Sequence, residues 1–439
     1  MAKLEQERRQ SSTCSATSFV RHLASFCQLR HRHAQLSCIP ADVPRTLPLK
    51  SASHISLCNP LLTNSKISVV QNNEMISSSI HDNDSCAQLI RNASIITWDE
   101  APMTNKAVLS TMEEVCRLAM HDQRPFGGKI VVLLGDFRQT CPVVRNGSKN
   151  DVLDASIKAS PLWPLFHTIH LPRLIRNAED PEFATFINNI GDGTQPNVDL
   201  HILQHACSSN DLIDFVFPQN VLLDPVQCLT RAILAPTNEQ IDYYNAKLVS
   251  RLPGQSQTYF AADSIRESDE TDIIPVASIL DYNSKRPPIG MPPAKLTIKI
   301  GTMCRIMRNF SLDRGLVKNA RVVVTNVGTR LLTVRLLHSD TESVGEDILL
   351  PRISFTSQLA SGHTLLRRQF PVAPAYATTF NSCQGLTLDR MGADLTRPVF
   401  SHGQLYTALS RIRNRQHGMV LLPPQTVETP NITYFELLT

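Results

Sequence analysis

The sequence predicts an α/β fold built on parallel strands, and three observations carry that expectation. Ile95-Ile96-Thr97-Trp98 and Lys129-Ile130-Val131-Val132-Leu133-Leu134 are apolar on both faces, as strands inside a parallel sheet are. Between them Val108, Leu109, Met112, Val115, Leu118 and Ala119 recur at helical spacing over residues 105–120, so strand, helix and strand follow one another as a crossover unit. Each strand then ends in polar groups, Asp99-Glu100 before Pro102 and Gly135-Asp136-Phe137-Arg138-Gln139. An open α/β sheet places its chemistry at such carboxyl-end tips.

Composition bounds the rest. A chain of 439 residues is long enough for two or three domains with a full core. No apolar run approaches the roughly 18 residues of a membrane helix, so no membrane partner is expected. A formal charge of +4 permits a nucleic-acid partner without demanding one. The 11 cysteines are scattered with no Cys-x-x-Cys pair, which predicts reduced thiols and an intracellular protein rather than a disulfide framework or zinc site.

Residues 1–50 form a divergent basic segment, with Arg8, Arg9, Arg21, Arg30, Arg32 and Arg45 against a single acid, Asp42, from position 8 onward. That composition suits a mitochondrial transit peptide and a disordered basic arm equally. All 17 glycines lie at Gly127 or later. A phosphate loop needs glycine so that successive backbone N–H groups can point into one concavity. None can be written before Asp99, and Lys3, Lys50 and Lys66 follow Ala2, Leu49 and Ser65 rather than glycine. Residues 51–93 are weakly patterned until a short helical stretch, 86–91, feeds the acidic strand.

An isolated Asp-Glu pair is more often two solvated acids than a site; the second polar tip on the neighbouring strand reverses those odds. Asp99 is suited to hold Mg²⁺ through the ion's water shell, and Glu100 to polarise a water against a phosphate. Gln139 is a candidate to bridge a terminal phosphate and that water. Phe137 and Arg138 are expected in the core and on the surface.

These motifs resemble the second and third motifs of the Pif-type (petite integration frequency) DNA helicases of superfamily one, including the helicase portions of Helitron transposons. Similar motifs continue in order. They are Leu171 to Arg176 before Asp180-Pro181-Glu182-Phe183, Leu234-Ala235-Pro236-Thr237-Asn238, Arg308-Asn309 with Arg314-Gly315-Leu316, and Gln369-Phe370-Pro371. Thr379-Phe380-Asn381-Ser382-Cys383-Gln384-Gly385-Leu386-Thr387-Leu388 and the run from Pro398 to Arg411 complete the set, over about residues 54–422.

The resemblance implies two RecA-like P-loop-NTPase-type domains, the first N-terminally incomplete at 51–170 and the second at 171–439. Within the second it implies a linker or loop at 254–293 and a β-rich insert at about 298–370, similar to a small barrel. It implies ATP hydrolysis with Mg²⁺, 5′ to 3′ movement on single-stranded DNA and duplex unwinding in telomere maintenance, repair and recombination, in the nucleus or the mitochondrion. By the same resemblance Arg176 and Arg411 reach the γ-phosphate from the cleft between domains, and Asp99 and Asp136 serve the metal and nucleotide. Thr237, Asn238, Thr379, Gln384 and Gly385 touch DNA or couple it to ATP. Ser382 stands where the family usually has lysine. Because the chain contains no phosphate loop, a second expectation is a truncated, non-catalytic pseudo-helicase of transposon origin that binds DNA or a partner. A third is a subunit that borrows its loop from another chain.

Overall fold

The structure is a computed structural model that describes residues 84–144, 147–171, 176–266, 288, 290–311, 314–337, 345–359 and 363–439, with the backbone strands Gln35–Ile39 and His54–Leu57. It divides into two compact units, residues 1–194 with 433–439, and residues 195–432. The division falls after 194 and not after the expected 170. Pro181–Gly191 and the C-terminal residues belong to the first unit, to which Lys149–Glu436 and Lys158–Thr439 contacts tie the chain end.

The first unit carries strands β1 (Gln35–Ile39), β2 (His54–Leu57), β3 (Ile95–Trp98), β4 (Ile130–Gly135) and β5 (His167–His170). Its helices are α1 (Ser85–Asn92), α2 (Lys106–Met120), α3 (Lys149–Ala155) and α4 (Pro181–Gly191). The sheet order is β2-β3-β4-β1-β5, with β2, β3 and β4 parallel and β1 antiparallel to both neighbours. The basic N-terminal segment thus contributes a central strand, held by backbone ladders on both edges; its other residues lie outside those described.

Local chemistry sets the element limits. Asn105 Oδ1 accepts from Ala107 N at 2.9 Å to cap α2, and His121, at φ 51°, closes its C-terminus. Val108, Met112, Val115 and Ala119 pack with Trp98, Val131, Leu133 and Phe166 in one core. Leu118 was expected on that face and is 63% exposed. It lies about 90° from the centre of that stripe at the helix's 100° step, on an exposed flank.

The second unit adds β6 (Asn197–Asp199), β7 (Gln204–His205), α5 (Ser209–Val216), α6 (Gln219–Leu222), β8 (Arg231–Ala235) and α7 (Asn238–Arg251). Strands β9 (Gln257–Phe260), β10 (Ala262–Arg266), β11 (Lys295–Ile298), β12 (Met303–Ile306), β13 (Arg321–Val327), β14 (Leu331–Leu336), β15 (Asp347–Pro351), β16 (Ile353–Gln358), β17 (Thr364–Gln369) and β18 (Val372–Pro374) follow. The chain returns through β19 (Ala377–Thr379), β20 (Arg390–Asp394), α8 (Gln404–Leu409), β21 (Gly418–Leu421) and β22 (Glu428–Pro430). Its main sheet, β19-β8-β20-β21-β7, is wholly parallel.

Between β8 and β19 lies an antiparallel insert of three sheets, β15-β14-β13-β12-β18, β10-β17-β16 and β11-β9. No ladder among the described residues closes them into the expected barrel. The stretch 254–293, expected as linker, contains β9 and β10. Their partners lie far along the chain, Lys295–Ile298 for β9 and Thr364–Gln369 for β10, so no local pattern announces them. Residues 267–287 of that stretch are outside those described.

Candidate functional site

In the first unit β3 and β4 run parallel with Trp98 opposite Leu133, so Asp99-Glu100 and Asp136-Gln139 leave the same edge of the sheet. Gly135 makes that approach possible. A Cβ there would overlap Pro102 Cδ and lie 2.6 Å from Pro102 Cγ, so only glycine lets the tip of β4 lie against the turn after β3. Asp99 is half-buried and its Oδ1 accepts from Glu100 N at 2.8 Å. Glu100 adopts the left-handed region at φ 53° and opens a short 3₁₀ turn, Ala101–Met103. Non-glycine residues rarely sit there, and such outliers concentrate at functional turns.

The second tip is organised differently from the expectation. Asp136 is buried, and both its carboxylate oxygens accept from Arg138: Oδ1 from the backbone N at 3.0 Å and from Nε at 3.1 Å, Oδ2 from Nη2 at 3.3 Å. Arg138 also donates from Nη1 to Asn188 Oδ1 on α4 at 3.2 Å, and Asp192 lies 3.5 Å away. Arg138 is therefore not a surface arginine. The ion pair locks the turn and engages both oxygens of Asp136. Gln139 is buried beside it, and Phe137 packs edge-on to Trp163 at 5.5 Å between ring centroids. Arg176 is half-buried in the turn that leads to α4, in the first unit rather than the second.

The space beside β4 on this sheet is taken by β1, which runs the opposite way with Gln35 opposite Gly135. At the acidic edge the chain therefore enters β1 rather than leaving it into a helix. A strand–loop–helix phosphate cradle cannot be formed by β1.

In the second unit β8, β19 and β20 end side by side, with Ala235 opposite Thr379 and Leu234 opposite Ala393. Thr237 caps α7, accepting from Gln240 N at 3.4 Å and donating to Gln240 Oε1 at 2.8 Å. Gln240 Nε2 donates to Thr396 Oγ1, which donates to Asp394, whose other oxygen accepts from the Tyr244 hydroxyl at 2.9 Å. Thr379 Oγ1 donates to Ser382 Oγ and accepts from Ser382 N. Asn238 is exposed, and the Gln384-Gly385 turn uses Gly385 at φ 79°. The five residues expected to meet nucleic acid thus sit at or next to one edge of this sheet. Gln404, which the sequence did not single out, accepts from Phe400 N and Ser401 N and donates to Asn381, pinning that edge to α8.

Arg411, just past α8, is buried; its Nε donates to Thr407 O and its Nη2 to Ser410 Oγ, each at 2.8 Å.

The PIF1-like helicase family model matches residues 59–200. The human ATP-dependent DNA helicase PIF1 is 29% identical over 349 residues, 78% of this chain and 49% of that protein. The chain spans about half the length of the first curated relatives it matches. A solved structure concerning DNA unwinding at forked double-stranded DNA by two coordinating Pif1 helicases superposes with a TM-score of 0.60 at 19% identity, over 85% of this chain and 82% of that one. A Bacteroides Pif1 bound to single-stranded DNA gives 0.58 at 19% identity, over 84% and 83%. The solved Pif1 helicases therefore share this fold, with its two RecA-like α/β units. With the ordered strand-tip motifs and the relatives that match three quarters of its length, this chain is similar to the Pif1-like helicases.

Proposed function

We propose that the chain is the motor region of an ATP-dependent DNA helicase that hydrolyses ATP with Mg²⁺ and moves 5′ to 3′ on single-stranded DNA to unwind duplexes. The observation that carries this reading is the paired edge of β3 and β4, where Gly135 packs on Pro102 beside the strained Glu100. Relatives named as ATP-dependent DNA helicases supply the substrate class.

Asp99, a half-exposed carboxylate at that edge, fits a Mg²⁺ held through its water shell; when bound, the ion neutralises phosphate oxygens. Glu100 polarises the attacking water and Gln139 orients it against the terminal phosphate. Arg176 and Arg411 supply guanidinium charge to the γ-phosphate, and Arg411 does so from a side chain that its own unit already orients. Asp136 positions the turn through Arg138. Thr237, Asn238, Thr379, Gln384 and Gly385 present a small, polar edge to DNA phosphates. A DNA substrate places the work where DNA is held, the nucleus first and the mitochondrion second, in telomere maintenance, repair and recombination.

One observation favours a second reading, a DNA- or partner-binding pseudo-helicase. The sheet position beside β4 holds the antiparallel β1, and the sequence carries no glycine before Gly127. Without a phosphate cradle, nucleotide affinity and transition-state stabilisation fall together. DNA-stimulated phosphate release decides between them. Release that vanishes in Glu100→Gln, with micromolar Mg-ATP affinity lost in Asp99→Ala, establishes the motor. DNA binding with no release above the Glu100→Gln background establishes the pseudo-helicase.

A further inference from the structure

Arg305 on β12 and Arg321 on β13 are directly paired residues of an antiparallel ladder, so their side chains share one face of the sheet. Like charges at such facing positions repel each other and are ordinarily avoided. The alternation of burial shows which face they share. Cys304, Ile306, Val322 and Val324 point into the core of the insert, whereas Met303, which shares a side with Arg305, packs with Ile241, Tyr244 and Leu248 of α7. The two guanidinium groups therefore lie on the side of the insert that faces α7, and both residues are half-buried.

Among the described residues, neither side chain makes a hydrogen bond or an ion pair. The carboxylate that acts on Arg305 is Asp242 of α7, beyond ion-pair distance, and the charge that acts on Arg321 is Arg305 itself. Burial and the neighbouring Arg305 push Arg321 down to about 10. Three other arginines of the insert find acceptors: Arg367 takes Asp263, Arg335 takes Asp347, and Arg352 takes the Phe260 carbonyl. Two facing, half-desolvated forks with ten N–H donors between them and no acceptor among the described residues have the chemistry of a receptor for a tetrahedral oxyanion.

We propose that Arg305 and Arg321 form a phosphate site on the α7-facing side of the insert and hold one phosphodiester of the bound nucleic-acid strand. Choosing a strand rather than a free phosphate as the source rests on the helicase reading above; the oxyanion chemistry does not. The bound phosphate offsets the repulsion between the facing arginines, so occupancy stiffens β12 and β13 against α7. The contact is independent of base sequence, as a phosphate contact is.

The test uses the full chain and a fluorescently labelled oligothymidine, with affinity measured over a range of salt concentrations. The double variant Arg305→Gln/Arg321→Gln is expected to lower the slope of log affinity against log salt by about 0.7, the value for one single-strand phosphate. Arg397→Gln, which removes an exposed arginine paired with Glu239 on the surface, is expected to leave the slope unchanged. Arg305→Lys/Arg321→Lys keeps the charge and loses the fork, so it is expected to keep the slope and weaken binding several-fold, which reads the site even if the glutamine pair folds poorly. A second arm adds inorganic phosphate and follows the melting temperature, expected to rise in the parent chain and not in the glutamine pair. An unchanged slope in a folded double variant overturns the strand assignment. Stabilisation by inorganic phosphate without any oligonucleotide binding leaves an oxyanion site and removes the strand. No phosphate response and no slope change overturn the site altogether. Oligonucleotide binding without ATP hydrolysis overturns the motor reading while this site stands.

Discussion

Gly135 and Pro102 touch so closely that no other residue fits at position 135: a Cβ would lie 2.6 Å from the proline Cγ and closer still to its Cδ. The contact holds the turn after β3 against the tip of β4. Gly135→Ala should therefore force the two turns apart. Its expected cost is about 1–3 kcal/mol, the usual range for overpacking, read as a lower urea midpoint at unchanged m value. Nucleotide-dependent activity should fall by more than the stability loss explains. A variant with the parent's midpoint would show that the turns separate freely.

Glu100 is held at φ 53°, a conformation that costs a side chain with a Cβ roughly 1 kcal/mol or more. Glu100→Gly should relieve that strain and stabilise the first unit by about 0.5 kcal/mol after glycine's extra chain entropy is counted. It should also abolish phosphate release, because the carboxylate is gone. Glu100→Ala separates the two effects: it loses activity equally and keeps the strain. Denaturant midpoints of the three proteins, set beside phosphate release, test the pair of expectations, and equal midpoints for Gly and Ala would remove the strain argument.

Arg138 neutralises a buried carboxylate. Arg138→Gln leaves Asp136 buried without its charge partner and should cost about 3 kcal/mol, whereas Asp136→Asn/Arg138→Gln, which removes both charges, should cost less than that change; Asp136→Asn is the other single variant. Urea unfolding of the single and double variants forms the cycle that measures this coupling. A double variant as unstable as the sum of its singles would mean that the pair contributes nothing jointly.

The parts of this chain legible in its sequence are those whose physics is local. Ile95–Trp98 and Ile130–Gly135 are buried on both faces and end at Pro102, Gly135 and acids, so residue type alone marked both strands and their polar tips. The helix between them followed from its apolar period, with Leu118 the exception because it lies on the stripe's exposed flank. What stayed hidden depends on partners far along the chain. Ala262–Arg266 is a strand because Thr364–Gln369 pairs with it, and Gln35–Ile39 joins the first sheet through ladders with residues about a hundred positions on. The Asp136–Arg138 pair was hidden because a turn, not a period, folds one side chain onto the other. The same holds for Arg305 and Arg321: without the register of β12 and β13 they are two unrelated basic residues.

The insert should be unusually dependent on one ion pair that bridges distant segments. Arg367 is fully buried and donates through Nε and Nη2 to the two oxygens of Asp263 at 2.8 and 2.6 Å, with Nη1 on the Pro292 carbonyl at 3.0 Å. Arg367→Met keeps the volume and strands the Asp263 carboxylate. It should destabilise the insert by about 3–5 kcal/mol, and Asp263→Asn/Arg367→Met should recover part of that loss. Hydrogen exchange of Ala262–Arg266 and Thr364–Gln369 is the direct measurement, and unchanged protection in Arg367→Met would show that the ladders hold without the pair.

Alkaline pH should loosen the second unit through its thiols. Burial raises Cys228 and Cys304 from 9.0 to about 12, so both stay protonated in the folded chain while the same groups ionise in the unfolded one. Above pH 9 the unfolded state binds fewer protons than the folded state, and stability falls as pH rises. The contribution is intact below about pH 9 and is lost between there and about 12, at roughly 1 kcal/mol per pH unit for each thiol. Between pH 9 and 10 the buried Tyr244 and Tyr376, raised from 10.0, contribute less than the thiols, and Cys116 and Cys141 of the first unit act in the same direction, so the part due to Cys228 and Cys304 is read as the difference between parent and variant. Urea midpoints at the two ends of that interval should drop in the parent chain. Cys228→Ala/Cys304→Ala should be less stable at both and show a shallower drop. An equal drop in parent and variant would assign the alkaline loss to other groups.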